Sequence, residues 1–426
     1  MKPSRPVAEQ VMYVDGTVLV PVLKKALGQP AGIARAGLQI VLSALLGAGE
    51  SARVLVADPN ARRVLCFRPQ HQSEVALVGE LRAIAQSLRR TRLEHTWTWV
   101  RGRLRAPWRS GWALPAELAR SGERGVFLYA GLNIRPGYRA AMKRARELYG
   151  TKLVLYLHDL LPLTQPTEYT SADRAREFHT FVSDFVGACD LVITSSRHTA
   201  AQIPEAVAPL VSAVPPVAVV PMAHEYRPWE AASARPAALA ALGDQDFVLC
   251  VGTLSARKNQ VGLVRAWQRY RAATRRARPA HLVLAGAPGA GSNEVLALLD
   301  ATDHCGGTVH VLPQTTDAEL NWLYQNCLFT AYVSFAEGFG LPIGESLWLG
   351  KVCLASSTTS MPEVGGDLAV YIDPHCVDQI AEGLRRLLEE PETLHTLTGR
   401  ISRDALRTWR DFQNDLALAI RLHFSR

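Results

Sequence analysis

The feature that most constrains this chain is an alternation. Twelve short, apolar, β-rich runs are separated by segments with helical spacing. In the first half they are VMYVDGTV (from Val11), ARVLVAD (from Ala52), VFLYAG (from Val126), KLVLYLHD (from Lys152), DLVITSS (from Asp190) and VAVVPM (from Val217). In the second half they are FVLCVGTL (from Phe247), HLVLAG (from His281), VHVLP (from Val309), FTAYVS (from Phe329), KVCLAS (from Lys351) and LAVYIDP (from Leu368). Continuous apolar strands reached through helices predict parallel sheets buried on both faces. Six runs fall on each side of residues 224–246, an Ala- and Pro-rich stretch without strand character. The expected fold class is α/β. Two doubly wound Rossmann-like domains, residues 1–223 and 247–408, face each other across a cleft and are joined by the linker 224–246. In residues 409–426, Trp409, Phe412, Leu416, Ile420 and Phe424 share one face, so a C-terminal amphipathic helix is expected, placed to pack on either domain. In such sheets ligands bind beyond the carboxyl ends of the strands.

A net charge of +8 admits nucleic acid, an anionic membrane surface or an anionic small substrate as partner. The seven cysteines are odd in number and form no CxxC pair, which predicts buried, reduced thiols in a cytosolic protein. The first residues lack the apolar core of a signal peptide. The most apolar long stretch, Ala206–Ala223, contains four prolines and reads as loop plus buried strand. A cytoplasmic location is expected. Between Arg82 and Arg109 there are eight arginines against one acid, Glu94, with Trp97, Trp99 and Trp108 interleaved. That segment has two readings: a solvated face over core tryptophans, or a surface resting on anionic lipid at the inner face of the cytoplasmic membrane. No nucleic-acid motif accompanies it, so no nucleic-acid partner is expected.

The stretch FAEGFGLPIGE, Phe335–Glu345, follows a strand candidate and holds two carboxylates, Glu337 and Glu345, with three glycines and a proline between them. Its glycines permit close backbone approach to a ligand, and Pro342 suits the first turn of a helix. The amides at that helix start, Phe339, Gly340 and Leu341, form a candidate diphosphate site. Glu337 then lies in the loop and Glu345 about one turn into the helix, so each can serve a different end of one ligand. The plain alternative is a loop acid and a helix acid with no shared task.

Three further stretches sit at comparable places. VGTLSARKNQ, Val251–Gln260, follows the first strand of the second half and places Thr253, Arg257 and Lys258 before a helix. Adjacent cations there neutralise a diphosphate, although solvated surface charges are the simpler reading of that feature alone. YLHDLLPL, Tyr156–Leu163, puts His158 and Asp159 at a strand end, placed for polar substrate contacts. GQPAGIARAG, Gly28–Gly37, is a Gly-rich loop opening a helix, but it is not GxGxxG. The chain also lacks a P-loop, HExxH and GxSxG, which argues against a P-loop ATPase, a zincin and an α/β hydrolase.

Together these segments resemble the family-4 retaining glycosyltransferases, which have the GT-B fold. The E-x7-E signature is seen as Glu337 and Glu345, and VGTLSARKN looks like the family's cation loop. QTTDAELNWLY (Gln314–Tyr324), SMPEVGGDLAVYIDP (Ser360–Pro374), TWRDFQNDLA and GIARAG extend the likeness over most of the chain. One departure is His224, where the family often has Gly before the linker.

The resemblance implies a retaining transfer of a sugar from a nucleotide diphosphate donor to a glycan or lipid-linked glycan, as in bacterial surface polysaccharide assembly. Mannose from a guanosine donor is the family's suggestion. It further implies that Arg257 and Lys258 hold the diphosphate and that Glu345 binds the ribose hydroxyls. Glu337 and the backbone of Phe339–Leu341 would hold sugar and phosphate, His158 would position the sugar, and Gly32 would let its helix approach the donor phosphate. Asp159 and Thr253 join the donor-binding set. No metal or other cofactor is expected, since cations and helix amides neutralise the leaving group. The alternatives are a nucleotide-sugar 2-epimerase of similar two-domain fold and a non-catalytic sugar-binding protein.

Overall fold

A computed structural model describes residues 10–15, 32–48, 51–58, 63–70, 73, 76–81, 114–130, 136–165, 172–227, 233–274, 276 and 278–424. The Arg- and Trp-rich segment from Arg82 to Arg109 lies outside the described residues, as do residues 16–31.

The first sheet contains β1 (Val11–Asp15), β2 (Ala52–Asp58), β3 (Arg63–Phe67), β4 (Gly125–Tyr129), β5 (Lys152–Leu157), β6 (Leu191–Thr194) and β7 (Val217–Val219). Its order is β3-β2-β1-β4-β5-β6-β7. The second sheet contains β8 (Phe247–Val251), β9 (His281–Ala285), β10 (Val309–Leu312), β11 (Phe329–Tyr332), β12 (Cys353–Ser356) and β13 (Val370–Ile372), in the order β10-β9-β8-β11-β12-β13. In each sheet the strand order reverses once, between β1 and β4 and between β8 and β11. That reversal opens a crevice at the carboxyl ends of the strands.

Two details depart from expectation. The first sheet has seven strands rather than six, because RVLCF forms β3, which pairs antiparallel with β2 at the sheet edge. A single added antiparallel edge strand on a parallel sheet is a common arrangement, and a short hairpin connection leaves no helical segment to announce it. At the opposite edge, β7 is not buried on both faces, since Val217 and Val219 are 38% and 37% exposed.

The C-terminal helix Trp409–Phe424 buries Trp409, Phe412, Leu416 and Ile420 in one apolar cluster with Leu38, Val41 and Leu45 of the helix Gly32–Ala48. It therefore leaves the second domain and packs on the first. The same cluster contains Tyr332, Phe339 and Ile343 of the second domain, so apolar contact runs continuously from one domain to the other. His224 sits where the chain crosses over. Its Nε2 donates to Val364 O at 3.0 Å, and its Nδ1 accepts from Arg407 N at 3.1 Å. The Arg407 guanidinium in turn donates to Pro221 O at 2.9 Å.

The seven cysteines are unpaired, and Cys189, Cys250, Cys327 and Cys353 are buried. Among the described residues no helix is long and apolar enough to cross a membrane.

On β9 and β10, at the sheet end away from the crevice, His281 Nδ1 lies 2.9 Å from His310 Nε2, and His281 Nε2 lies 2.6 Å from Gln245 Oε1. Burial, then the neighbouring ring, pushes His281 down to about 4. Burial lowers His310, His158 and His224 in the same direction. In the unfolded chain these imidazoles titrate near 6.5, so folding favours their neutral forms. The stability they confer is complete above about pH 6.5 and is lost as the pH falls from there towards 4. Thermal melts between pH 7 and 4 should show a falling melting temperature, with a shallower fall in the His281→Gln/His310→Gln double variant. A wild-type melting temperature that stays flat over this window would contradict the assignment.

Candidate functional site

The loop after β8 and the loop after β11 flank the crevice of the second sheet. Asn259 shapes the first. It holds a left-handed φ of 55° and caps the helix Gln260–Ala273 by accepting from Gly262 N at 3.1 Å. Its Nδ2 donates to Val333 O at 3.2 Å and Pro374 O at 2.8 Å. Phe335 N donates to Arg257 O at 2.9 Å. The cation loop is thereby fixed to the chain that leaves β11.

The two cations converge on Glu337. Arg257 Nη1 and Lys258 Nζ each lie 2.6 Å from Glu337 Oε1. Arg257 Nη1 also donates to Ala336 O at 2.6 Å, and Lys258 Nζ contacts the Tyr332 hydroxyl. Glu337 is 8% exposed. Burial alone would raise its pKa, but Arg257 and Lys258 outweigh burial and bring it to about 2. Burial lowers Lys258, with Glu337 opposing that shift. The carboxylate is therefore ionised at any working pH. It cannot act as a general acid.

A brace of hydroxyls holds the loop from below. Thr358 Oγ1 donates to Phe335 O at 2.8 Å, and Glu337 N donates to Thr359 Oγ1 at 3.0 Å. Ser360 Oγ donates to Glu337 O at 2.8 Å and to Phe339 O at 2.9 Å. Gly340, at φ 107°, caps the helix Leu341–Trp348, a conformation that favours glycine. The expected anion site falls at this helix start. Phe339 is buried and Leu341 partly so. One turn on, Glu345 is 9% exposed, and its Oε2 accepts from the Tyr324 hydroxyl at 2.9 Å. The two glutamates thus have different neighbours.

The first domain meets this loop at the end of β5. A Cβ on Gly338 would lie 2.3 Å from His158 O and 2.6 Å from Asp159 Cβ, so only glycine fits there. His158 is buried, and its Nε2 lies 3.0 Å from Ala130 O, which must accept. Tyr156 packs edge-on against His158 at 5.3 Å and against Phe412 at 5.7 Å, so the C-terminal helix supports the histidine from behind. Burial raises the pKa of Asp159, and Arg257 opposes the rise. His158, Asp159, Glu337, Arg257 and Lys258 accordingly form one group at the domain junction. Thr253 is exposed on the loop leading to Arg257, and its carbonyl accepts from Gln260 Nε2 at 3.2 Å. Gly32 is the first residue of the helix Gly32–Ala48.

The model of the family "Glycosyl transferases group 1" matches residues 234–402. "O-antigen chain mannosyltransferase B" of Escherichia coli is 29% identical over 299 residues, covering 70% of this chain and 73% of that protein. The structure of HepE from Anabaena in complex with UDP-glucose superposes with a TM-score of 0.58 at 15% identity, covering 96% of this chain and 99% of the other. The chain is a glycosyltransferase of the GT-B type. "Serotype-specific mannosyltransferase WbdA" of Escherichia coli is 27% identical over 256 residues, but these cover 29% of that longer protein. Sucrose-phosphate synthase of Thermosynechococcus elongatus has the same fold, with a TM-score of 0.56 at 19% identity over 70% of this chain and 74% of the other.

Sequence reasoning about this glycosyltransferase missed four of the residues that build its site: Asn259, Tyr332, Gly338 and Ser360. Asn259 carried a usable signal, because an Asn directly before an amphipathic helix reads as a cap. Arg257 and Lys258 pair with Glu337, because a buried carboxylate needs counter-charge.

Proposed function

We propose that this glycosyltransferase is a retaining enzyme of family 4 that moves mannose from GDP-mannose to a glycan carried on a lipid, in bacterial surface polysaccharide assembly. The carrying observation is the Arg257–Glu337–Lys258 group held against His158 and Asp159 at the junction of two GT-B domains. The choice of mannose and of polysaccharide rests on the printed names of the relatives, O-antigen chain mannosyltransferase B and WbdA.

In the proposed reaction Arg257 and Lys258 take up the charge that develops on the leaving diphosphate. The acceptor oxygen forms a bond to the anomeric carbon on the face from which the diphosphate departs. The bond from that carbon to the phosphate oxygen breaks, and the acceptor proton passes to the departing phosphate. Glu337 accepts from sugar hydroxyls. Its Oε1 is already shared by two cations, which depresses nucleophilicity and disfavours a covalent glycosyl-enzyme. Glu345 accepts from the ribose. The reaction needs no metal in this scheme.

Thermal stabilisation by a panel of nucleotide sugars tests the donor, and the anomeric configuration of the product tests retention. GDP-mannose should stabilise the protein most and give an α-linked product. A larger shift with a uridine sugar would replace the donor, a β-linked product would overturn retention, and C2 epimerisation without transfer would favour the epimerase.

A further inference from the structure

The turn that follows β6 carries contacts that the transfer chemistry does not use. Ser195 Oγ donates to His158 O at 3.1 Å and to Gly338 O at 3.0 Å, so one buried hydroxyl touches the catalytic segments of both domains. Ser196 Oγ reaches the same Gly338 carbonyl at 2.9 Å and also caps the helix Arg197–Val207. From the second domain, Glu363 sends its carboxylate to the start of that helix. Arg197 N donates to Oε2 and His198 N to Oε1, each at 2.8 Å. Glu363 lies three residues past Ser360, at the end of the hydroxyl brace beneath Glu337.

A helix N-terminus presents donors and a partial positive charge, so a carboxylate is a well-matched partner for it. This carboxylate belongs to the opposite domain. The fit is possible only when the domains are as close as they are here, with Gly338 seated on His158.

We infer that Glu363, together with Ser195 and Ser196, is the positioning element that docks His158 and Asp159 of the first domain onto the Glu337 loop of the second. Glu363 touches neither diphosphate nor sugar in the proposed reaction. It acts through the placement of the two halves of the site. Donor binding by the second domain therefore survives loss of the tie, whereas turnover does not. The inference goes beyond the donor assignment and uses GDP and GDP-mannose only as probes.

The test is Glu363→Ala, with Glu363→Gln as the conservative variant. Glu363 is on the surface between domains, so its loss leaves each core intact. Misplacement of reacting groups by an ångström costs up to about 10²-fold, so kcat for GDP-mannose should fall at least about tenfold in Glu363→Ala. Affinity for GDP, read by calorimetry, should stay within about twofold, because Arg257, Lys258 and Glu345, the partners proposed for it, lie in the second domain. Glu363→Gln keeps one acceptor oxygen and should recover part of kcat. Hydrogen exchange at the Arg197 and His198 amides should quicken by at least about tenfold in Glu363→Ala while β6 stays protected. The inference is overturned if those amides exchange at the wild-type rate, or if kcat is unchanged although they exchange faster. It is equally overturned if GDP affinity falls as far as kcat. Should the wild-type protein not turn over GDP-mannose at all, the donor assignment fails, and the exchange measurement still decides whether the tie exists. Ser196→Ala gives an independent variant with the same expected pattern.

Discussion

Replacing Lys258 by alanine is expected to lower kcat by about 10²- to 10³-fold, the usual cost of removing one preorganised charge donor from a developing anion. Arg257→Ala should act in the same direction. Both cations lie 2.6 Å from Glu337 Oε1, in a group that is largely shielded from water. A cation in that setting is worth more to a diphosphate than one on an open surface. Each variant should also weaken GDP binding by about tenfold or more, because the contact is made in the ground state as well. Glu337 stays ionised in either variant through the remaining cation, so the loss reports on the leaving group and not on a change of protonation. Steady-state kinetics beside calorimetric titration of GDP checks this. GDP affinity unchanged in both variants would remove the cations from the diphosphate site.

The two glutamates are expected to separate. Glu337→Gln should depress kcat by about 10²-fold, since a contact to the reacting sugar strengthens as charge develops there. Its effect on GDP should be neutral or favourable. The native carboxylate, held at about 2 by Arg257 and Lys258, competes with the diphosphate for those same cations. The amide does not compete. Glu345→Ala should instead weaken GDP by roughly tenfold, because a ribose contact is made equally in ground and transition states. If Glu337→Gln weakens GDP as much as Glu345→Ala does, the division of tasks is wrong. A corollary concerns pH. An acid limb in kcat/KM above about pH 4 cannot come from Glu337, whose titration lies near 2.

Much of this site could be read from local sequence. A strand, a glycine turn and a proline-led helix in FAEGFGLPIGE fix where Glu337 and Glu345 stand, and the structure has the helix at Leu341–Trp348. The order of apolar runs foretold twelve of the strands, because buried parallel strands are continuous in hydrophobicity. What stayed hidden depends on distant partners. Ser195 and Gly338 are 143 residues apart, and Glu363 lies 166 residues from Arg197. SMPEVGGD marked Glu363 as part of a family-like stretch without giving it a task. Tyr332 looked like one more apolar strand residue until its hydroxyl met Lys258. β3 was missed for another reason. RVLCF is as apolar as its neighbours but short, and a hairpin strand lacks the helix that sets off every parallel one.

A structure of the protein with GDP bound decides whether Arg257 and Lys258 hold the diphosphate. Diphosphate oxygens are expected within hydrogen-bond distance of Arg257 and Lys258, the ribose hydroxyls on the Glu345 carboxylate, and Glu337 turned towards the position of the missing sugar. GDP bound elsewhere, with Arg257 and Lys258 still closed on Glu337 as they are at 2.6 Å here, would contradict this expectation.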